Sequence, residues 1–381
     1  MDFELSDDQR LLKENARNVL AAEWPTSKVR QLMEMEQATG VDARLWQQMA
    51  ELGWLGMRIP EAYGGSGLSM TDLVPLAEEF GRALVSGPFT ASAVTAAALL
   101  RAAGGECAHQ LLSGIATGAS IVVPALEEPA SDHAAGDVQT QAVAIKGQYQ
   151  LTGTKLFVPH ADSADYLLVS ARTSPWGGPY AGISLFVVPR QAAGVSLTPL
   201  HTVDATWRLC EVALEKVRVD DTALLGPRDG ALPLLEAARR ETCLMRSAEA
   251  TGVAERALEM ATAYAKERVA FGHPIGSYQA MQHKLVDMLV EVENARSLVY
   301  YAAWALDENN AEAASAVAMA KAYSADIAWN VTTNAIQVYG GMGFTWECDL
   351  HLYHRRALQL HASDGAPAEH REDVARLIIG F

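Results

Sequence analysis

A carboxylate stands beside a glycine near the end of the chain, where Asp364 precedes Gly365 in the stretch LQLHASDGAP. An ionised carboxylate that is fixed beside a substrate can act as a general base and remove a proton from carbon. The same Ser-Asp-Gly sequence is also typical of a turn that ends a helix, because Asp and Gly tolerate the backbone angles of tight turns. The residue types alone leave both interpretations of Asp364 open.

Two further stretches have residues suited to binding a phosphate or a flat ligand. RVAFGHPIGSYQAMQHK contains Arg268, whose charged, planar guanidinium can bind a phosphate at the end of a helix. The alternative is an ordinary helix–helix turn, with Gly272 as the C-terminal cap and Pro274 beyond it. In QVYGGMGFT, Gly340 and Gly341 either end a helix or allow the backbone to approach a ligand closely.

The charge balance and the cysteine pattern exclude several functional classes. With 30 Lys and Arg against 46 Asp and Glu, the formal net charge is −16, so we expect neither a nucleic-acid surface nor docking on anionic lipid. We expect no membrane span, and the N-terminus lacks the basic start and apolar core of a signal peptide. Four scattered cysteines predict reduced thiols, and His351 and His354 lack a carboxylate that would complete a metal site. These observations predict a cytoplasmic protein without a metal.

The elements that position these residues follow one another in three blocks. Residues 1–119 have the period of amphipathic helices, and Ser6 is the predicted N-cap of the first helix. Residues 120–222 contain short runs rich in Val, Leu and aromatics, which predict an antiparallel sheet or barrel with tight hairpins at KGQY and SPWGGPY. Residues 223–381 return to long helices with apolar stripes, typical of a four-helix bundle. The sequence therefore predicts an α+β multidomain chain with an N-terminal helical domain, a middle antiparallel β domain and a C-terminal bundle.

Four ordered stretches resemble the acyl-CoA dehydrogenase family of flavoproteins, over nearly the whole chain. The helix–β–helix domain order of that family agrees with the three blocks above. The resemblance extends to the small or β-subunit type of bacterial heteromeric members, which end in a sequence much like LHLYHRRALQLHASDGAP. The motifs that carry the resemblance are ELGWLGMRIPEAYGGSGLS with LAEEFGRAL, YQLTGTKLFVPHADSADYLLV, AYAKERVAFGHPIGSYQAMQHKLVDM and AIQVYGGMGFTWECDLHLYHRRA.

The resemblance implies an FAD site that is shared between subunits. Arg268 matches the arginine that contacts the FAD pyrophosphate of a neighbouring subunit, and Phe271 matches an aromatic residue beside the adenine portion. Gln337, Gly340 and Gly341 match residues that lie along the same FAD. The resemblance therefore implies a homodimer or tetramer, or a heterotetramer with a second family member.

The β domain departs from the family pattern at the flavin. Phe157 and Pro159 fall where the family usually has Trp and Thr against the isoalloxazine ring. Phe can still stack on the ring, whereas Pro159 offers neither a hydroxyl nor an amide hydrogen. The loop that contacts flavin and CoA in the family is shorter here and has the sequence EEPASDH.

The family reaction is α,β-dehydrogenation of an acyl-CoA thioester, which needs a carboxylate above the α-carbon. In most members the base is a Glu followed by Gly, at the twentieth residue after the Phe of the GGxGF motif. Counted from Phe344, this position is Asp364. Other members carry the Glu on the long preceding helix, where this chain has Thr242, with Glu241 before it and Cys243 in place of a family arginine.

Three functional hypotheses follow from these residues and from the resemblance. The first is an FAD-dependent acyl-CoA dehydrogenase with Asp364 as base, an electron-transfer flavoprotein as electron acceptor, and a branched, cyclic, dicarboxylic or steroid side-chain acyl-CoA as substrate. Such an enzyme would belong to fatty-acid or steroid side-chain catabolism. The second is a weakly active or base-lacking partner subunit of a heteromeric dehydrogenase. The third is a flavin oxidase or monooxygenase on the same fold.

Overall fold

Helices, strands and helices follow one another along the chain as the sequence predicts. A computed structural model describes residues 4–34, 40–129, 137–174 and 181–380. The chain forms two compact units: a helical unit of Met1–Gln31, Met70–Val85 and Cys243–Phe381, and a mixed unit of Leu32–Ser69 and Ser86–Thr242. Within the described ranges, no helix is long and apolar enough to cross a membrane. The cytoplasmic location stays a prediction.

The described part of the chain contains eleven α-helices, ten strands and one π-helical segment, Thr90–Ala96. The helices are α1 (Asp7–Glu23), α2 (Thr26–Glu34), α3 (Ala43–Glu51), α4 (Met70–Ala83), α5 (Ala97–Ala103), α6 (Glu106–Ala116), α7 (Leu232–Glu267), α8 (Gln279–Asp307), α9 (Ala313–Tyr339), α10 (Leu350–Ala362) and α11 (Pro367–Ile379). The strands are β1 (Val122–Ala125), β2 (Gln141–Ile145), β3 (Gln148–Pro159), β4 (Tyr166–Arg172), β5 (Ile183–Pro189), β6 (Val195–Leu200), β7 (Leu209–Asp220), β8 (Leu224–Leu225), β9 (Val269–Ala270) and β10 (His273–Pro274).

The first helix of the helical unit begins at the residue that the sequence marks. The Ser6 hydroxyl accepts a hydrogen bond from the Gln9 amide, and the Gln9 side chain accepts one from the Ser6 amide. This capping box satisfies two backbone donors that the first turn of a helix leaves unpaired. The predicted N-cap is therefore confirmed.

Helices α4 and α7 of the helical unit cross with their backbones in contact. A Cβ added at Gly81 would lie 1.9 Å from the Glu249 carbonyl oxygen, and one added at Gly252 would lie 1.9 Å from the Glu78 carbonyl oxygen. Only glycine fits at both positions, because any side chain would push the helices apart. The crossing fixes the part of α7 that carries Glu249.

The mixed unit contains an eight-stranded sheet in the order β6-β7-β3-β2-β4-β5-β8, with β1 beside β4. Neighbours along the order are antiparallel, apart from one parallel residue pair between β2 and β4. Strand β1 departs from the antiparallel prediction and runs parallel to β4. The intervening hairpin of β2 and β3 explains the difference, because parallel neighbours need a long connection between them.

The hairpin between β2 and β3 forms at the predicted place. Ile145 pairs with Gln148, and the two turn residues, Lys146 and Gly147, have φ angles of 46° and 79°. Positive φ at both turn positions is typical of a type I′ turn, whose twist matches that of the strands. The predicted KGQY hairpin is therefore confirmed. The second predicted hairpin, at SPWGGPY, lies outside the described ranges apart from Ser174.

A buried ion pair lies inside the mixed unit. Lys155 on β3 has no exposed surface, and its Nζ lies 2.6 Å from Glu128 Oε1 and 3.0 Å from Ser170 Oγ. The Glu128 carboxylate also accepts the backbone amides of Gln139 and Thr140, at 2.8 Å and 3.1 Å. Burial lowers the pKa of Lys155 to about 8, although the Glu128 carboxylate opposes that change. Lys155 thereby connects β3 to the first residues of the EEPASDH stretch, of which residues 130–133 lie outside the described ranges.

Candidate active site

Asp364 lies in the turn between α10 and α11. Helix α10 ends at Ala362, and Asp364 then has a φ of 57°, followed by Gly365 with a φ of 99°. Aspartate is one of the few residues besides glycine that enter this left-handed region readily. The turn interpretation of Asp364 is therefore confirmed. It does not conflict with a role as base, because a residue in a rigid turn still presents its carboxylate.

Buried side chains of the helical unit fix the backbone of this turn. His370 Nε2 lies 3.0 Å from the Asp364 carbonyl oxygen, and Cys243 Sγ lies 3.7 Å from the same oxygen. Lys321 Nζ donates to the Gly365 carbonyl oxygen at 3.4 Å. All three side chains are at most 2% exposed. With its backbone fixed, Asp364 has only its side-chain torsions left to determine where its carboxylate lies.

The carboxylate of Asp364 is partly open to solvent. Its side chain is 25% exposed, and Arg246 Nε lies 3.6 Å from its Oδ2 atom. That distance is an ion pair without a direct hydrogen bond. Among the described residues, no donor forms a hydrogen bond with either carboxylate oxygen. An ionised carboxylate with free lone pairs can accept a proton from a carbon acid.

A short hairpin after α7 presents Phe271 to solvent. Strands β9 and β10 pair antiparallel, and the two turn residues, Phe271 and Gly272, have φ angles of 52° and 84°. The prediction that Gly272 is a helix C-cap is therefore wrong. The helix ends at Glu267, and Gly272 instead supplies the second position of a type I′ turn, which favours glycine. Phe271 is 96% exposed at the tip of this hairpin.

The C-terminal ends of α7 and α9 lie side by side in the helical unit. The rings of Tyr264 and Tyr339 stack with their centroids 4.1 Å apart. The Arg268 amide donates to the Tyr264 carbonyl oxygen, and Gly340 directly follows Tyr339. The structure therefore brings Arg268 and the glycine pair to the same edge of this unit, with Gln337 exposed on the last turn of α9.

This edge of the helical unit fits the pyrophosphate and adenine portions of FAD. A Cβ added at Gly340 or Gly341 would meet no atom within 4 Å, so the backbone there is open to a ligand. Arg268 is exposed and has no partner among the described residues, which leaves its guanidinium available to a phosphate. The exposed ring of Phe271 offers a face to a flat base.

Phe157 and Pro159 belong to the other unit, on β3. The pairing of β3 with β7 shifts between Lys155 and Val158, which marks a bulge. Within it Phe157 has a φ of 52° and is 50% exposed. A bulky residue at positive φ is uncommon, and bulges often redirect a side chain beside a functional site. Phe157 fits the predicted stacking on a flat ring, while Pro159 pairs with Leu209 in the sheet.

Glu241, beside the alternative base position, is paired with two arginines in the mixed unit. Its carboxylate accepts from Arg101 Nη2 at 2.8 Å and lies 3.4 Å from Arg58 Nη2. The adjacent Thr242 hydroxyl donates to the Ala238 carbonyl oxygen at 2.8 Å. Arginines contact both oxygens of the Glu241 carboxylate, so this region of α7 offers no unoccupied carboxylate to replace Asp364.

Glu241→Gln is expected to leave the rate of any reaction that depends on Asp364 as a base unchanged. It is expected to lower the free energy of unfolding by about 1–2 kcal/mol, because the two arginines lose a charged acceptor at a partly buried site. Urea unfolding and stopped-flow absorbance measure the two effects. Glu236→Gln, at an exposed position on the same helix, is the matched control. A large loss of rate in a fully folded Glu241→Gln protein would identify Glu241 as part of the reaction.

Three family models match this chain. Residues 6–119, 125–217 and 239–379 match, in that order, the N-terminal, middle and C-terminal domains of acyl-CoA dehydrogenases. The chain belongs to the acyl-CoA dehydrogenase family. The probable acyl-CoA dehydrogenase YngJ of Bacillus subtilis is 32% identical over 388 residues, which cover all of both chains.

Solved structures of family members share the fold of this chain. Butyryl-CoA dehydrogenase from Megasphaera elsdenii superposes over all of both chains with a TM-score of 0.92 and 26% identity. A chain of the ChsE4–ChsE5 complex from Mycobacterium tuberculosis superposes over all of both chains with a TM-score of 0.89 and 27% identity. The predicted family and fold class are confirmed. The chain is an FAD-dependent oxidoreductase of the class that acts on CH–CH bonds.

Proposed function

We propose that this family member removes the α-proton of an acyl-CoA thioester with the carboxylate of Asp364. The observation that carries the proposal is that the Asp364 carboxylate is partly exposed on a turn whose backbone is fixed. In addition, no described donor forms a hydrogen bond with this carboxylate. A general base needs this combination, because its lone pair must stay accessible while its position stays fixed.

In the proposed reaction, the Asp364 carboxylate takes the α-proton and becomes a neutral acid, while a double bond forms between the α- and β-carbons. Bound FAD supplies the acceptor for the β-hydrogen and its electron pair. Arg268 would bind the pyrophosphate of the FAD of a neighbouring subunit, and Gln337 and the glycine pair would lie along that same FAD. Phe157 would stack on a flavin ring. An electron-transfer flavoprotein then takes the electrons, as the family resemblance implies.

The substrate that we propose has a branched, cyclic, dicarboxylic or steroid side-chain acyl group. Asp364 is one methylene shorter than the Glu of most family members, so its carboxylate reaches about 1 Å less, and a misplacement of this size costs on the order of 100-fold in rate. An acyl group that brings its α-carbon closer to Asp364 removes this penalty. The shorter base therefore favours a substrate other than a plain straight chain.

We also propose that the chain works as three domains, which are residues 1–119, 120–222 and 223–381. The three family matches support this division, because each lies close to one of these ranges. The middle range would supply the residues that face the flavin ring. The last range would supply both the base and the residues that bind the pyrophosphate.

The proposal is tested by the absorbance of the purified, FAD-loaded chain under anaerobic conditions. The probes are butyryl-CoA, isobutyryl-CoA, glutaryl-CoA, cyclohexanecarbonyl-CoA and a steroid side-chain acyl-CoA, which cover straight, branched, dicarboxylic, cyclic and steroid acyl groups. We expect the flavin to bleach, fastest with a probe other than butyryl-CoA. A flavin that stays oxidised with every probe would contradict the proposed reaction. Rapid reoxidation of the reduced flavin by O₂ would favour the oxidase hypothesis instead.

A second candidate function is that of a partner subunit in a heteromeric dehydrogenase. The observation that favours it is the exposure of the residues along the edge of the helical unit, where Phe271 is 96% and Phe344 80% exposed. The similarity to a chain of the ChsE4–ChsE5 complex supports it as well. Native mass spectrometry of the chain alone and after co-expression with a Glu-bearing family member decides between the candidates. FAD retention only in the mixed complex would favour the partner subunit.

Arg268→Gln is expected to weaken FAD binding by about 10- to 100-fold, which corresponds to the loss of one hydrogen bond to a charged group. Equilibrium dialysis of the apoprotein with FAD measures this change. Lys266→Gln removes an exposed positive charge from the last turn of the same helix and is expected to leave FAD binding nearly unchanged. Equal effects of the two substitutions would mean that Arg268 contributes only general electrostatic attraction.

A further inference from the structure

We propose that Arg246 is the positioning residue for the carboxylate of Asp364. Its Nε atom lies 3.6 Å from Asp364 Oδ2, and its side chain is only 11% exposed. In the described part of the chain, Arg246 is the only cationic side chain within ion-pair distance of this carboxylate. An attraction without a direct hydrogen bond orients Asp364 and leaves its lone pairs available for a proton.

A row of buried charges holds Arg246 itself in place. Arg246 Nη1 lies 3.0 Å from Glu249 Oε2, and the other oxygen of Glu249 accepts from Arg356 Nη1 at 2.7 Å. Arg356 is 2% exposed and also donates to the Val85 carbonyl oxygen at 3.1 Å. Charges alternate along the row from Asp364 through Arg246 and Glu249 to Arg356, so each group has a neighbour of opposite sign. Charged side chains are tolerated in a protein interior when each is held beside a side chain of opposite charge.

The backbone that carries this row is fixed as well. Glu249 lies where α4 and α7 cross, with Gly81 against its carbonyl oxygen. Cys243 and Arg246 are three residues apart on α7 and therefore share a face of the helix. One of them contacts the carbonyl oxygen of Asp364, and the other lies beside its carboxylate.

This arrangement also explains a departure in the sequence. The family resemblance places an arginine at the position of Cys243, and this chain has its arginine one turn later. Cys243 contacts the carbonyl oxygen of Asp364, and Arg246 supplies a positive charge beside its carboxylate. A shorter base and a displaced arginine therefore occur together on one face of α7.

The inference rests on the proposed function, because a positioning residue has a purpose only if Asp364 is the base. Arg246→Gln is expected to lower the rate of flavin reduction by about 10- to 100-fold, the cost of a carboxylate misplaced by about 1 Å. The dissociation constant of the acyl-CoA is expected to change by only about 2- to 3-fold, since Arg246 acts on the base and not on binding. The probe is the fastest of the five thioesters named above.

Arg246→Lys and Arg256→Gln complete the test. The lysine variant keeps the positive charge that Glu249 needs, so it is expected to fold and to recover part of the lost rate. Arg256, also on α7, pairs with Glu259 instead, so Arg256→Gln is expected to keep the wild-type rate. A double-mutant cycle with Asp364→Asn is expected to show that Arg246→Gln adds almost nothing once the base is gone.

The outcomes separate the two proposals. If Asp364→Asn abolishes flavin reduction while the Arg246 variants keep the wild-type rate, the positioning role is overturned and the base survives. Additive losses in the cycle also overturn it, because Arg246 would then act elsewhere. If Asp364→Asn reduces the flavin at the wild-type rate, the proposed function itself is overturned.

Discussion

Asp364→Asn is expected to slow flavin reduction by acyl-CoA by about 100- to 10,000-fold, the usual contribution of a general base. Asparagine has nearly the same shape and still fits the turn, but its amide cannot take a proton from carbon. The backbone of the turn is fixed through the carbonyl oxygens of Asp364 and Gly365, which the substitution leaves in place. Acyl-CoA binding and the free energy of unfolding are therefore expected to stay close to the wild-type values. Stopped-flow absorbance and isothermal titration measure the rate and the binding.

Asp326→Asn is the matched control for this substitution. Asp326 is also in the helical unit, its side chain is 26% exposed, and it pairs with His361 and Arg371. The Asp326→Asn variant is expected to reduce its flavin at the wild-type rate. If both variants lose the same amount of activity, the loss reflects a general disturbance of the helical unit and not the removal of a base.

Lys155→Met is expected to lower the free energy of unfolding by about 3–5 kcal/mol, because it leaves the buried carboxylate of Glu128 without its cation. Lys155 has no exposed surface, and its Nζ lies 2.6 Å from that carboxylate. The double variant Lys155→Met with Glu128→Leu is expected to recover only part of the loss. The backbone amides of Gln139 and Thr140 would lose their acceptor in that variant. Urea unfolding measures all three proteins.

Lys216→Met, at an exposed position on β7, provides the comparison for Lys155→Met, with an expected change within about 0.5 kcal/mol. If Lys155→Met lowers the free energy of unfolding by as little as this, Glu128 takes up a proton or reaches water when its partner is removed. Such a result would show that the ion pair contributes little to the stability of the mixed unit.

The parts of the fold that depend on neighbours in sequence were predictable. The Ser6 capping box spans three residues, and the turn at Lys146 and Gly147 involves two, so local residue preferences decide both. Local residue preferences likewise predict the turn at Asp364 and Gly365. The family motifs extended these predictions to the whole chain and to the position of the candidate base.

The rest depends on contacts between residues that are far apart in sequence. Nothing in KLFVP marks the bulge that gives Phe157 its positive φ, because the bulge arises from the pairing of β3 with β7. Arg246 and Asp364 meet only after α7 and the turn beyond α10 have packed together. The C-cap interpretation of Gly272 is wrong for a related reason, since a glycine after a helix fits a C-cap and a hairpin turn equally well.

Hydrogen exchange at the α-carbon of a thioester that cannot be oxidised isolates the proposed proton transfer. An acyl-CoA with sulfur in place of the β-carbon has an acidic α-hydrogen and no β-hydrogen, so only the first step is open to it. The FAD-loaded chain is incubated with this compound in D₂O, and mass spectrometry follows the uptake of deuterium. We expect exchange with the wild type and with Asp326→Asn, and only the solvent background with Asp364→Asn. Equal exchange with Asp364→Asn, or none with the wild type, would contradict the role of Asp364 as the base.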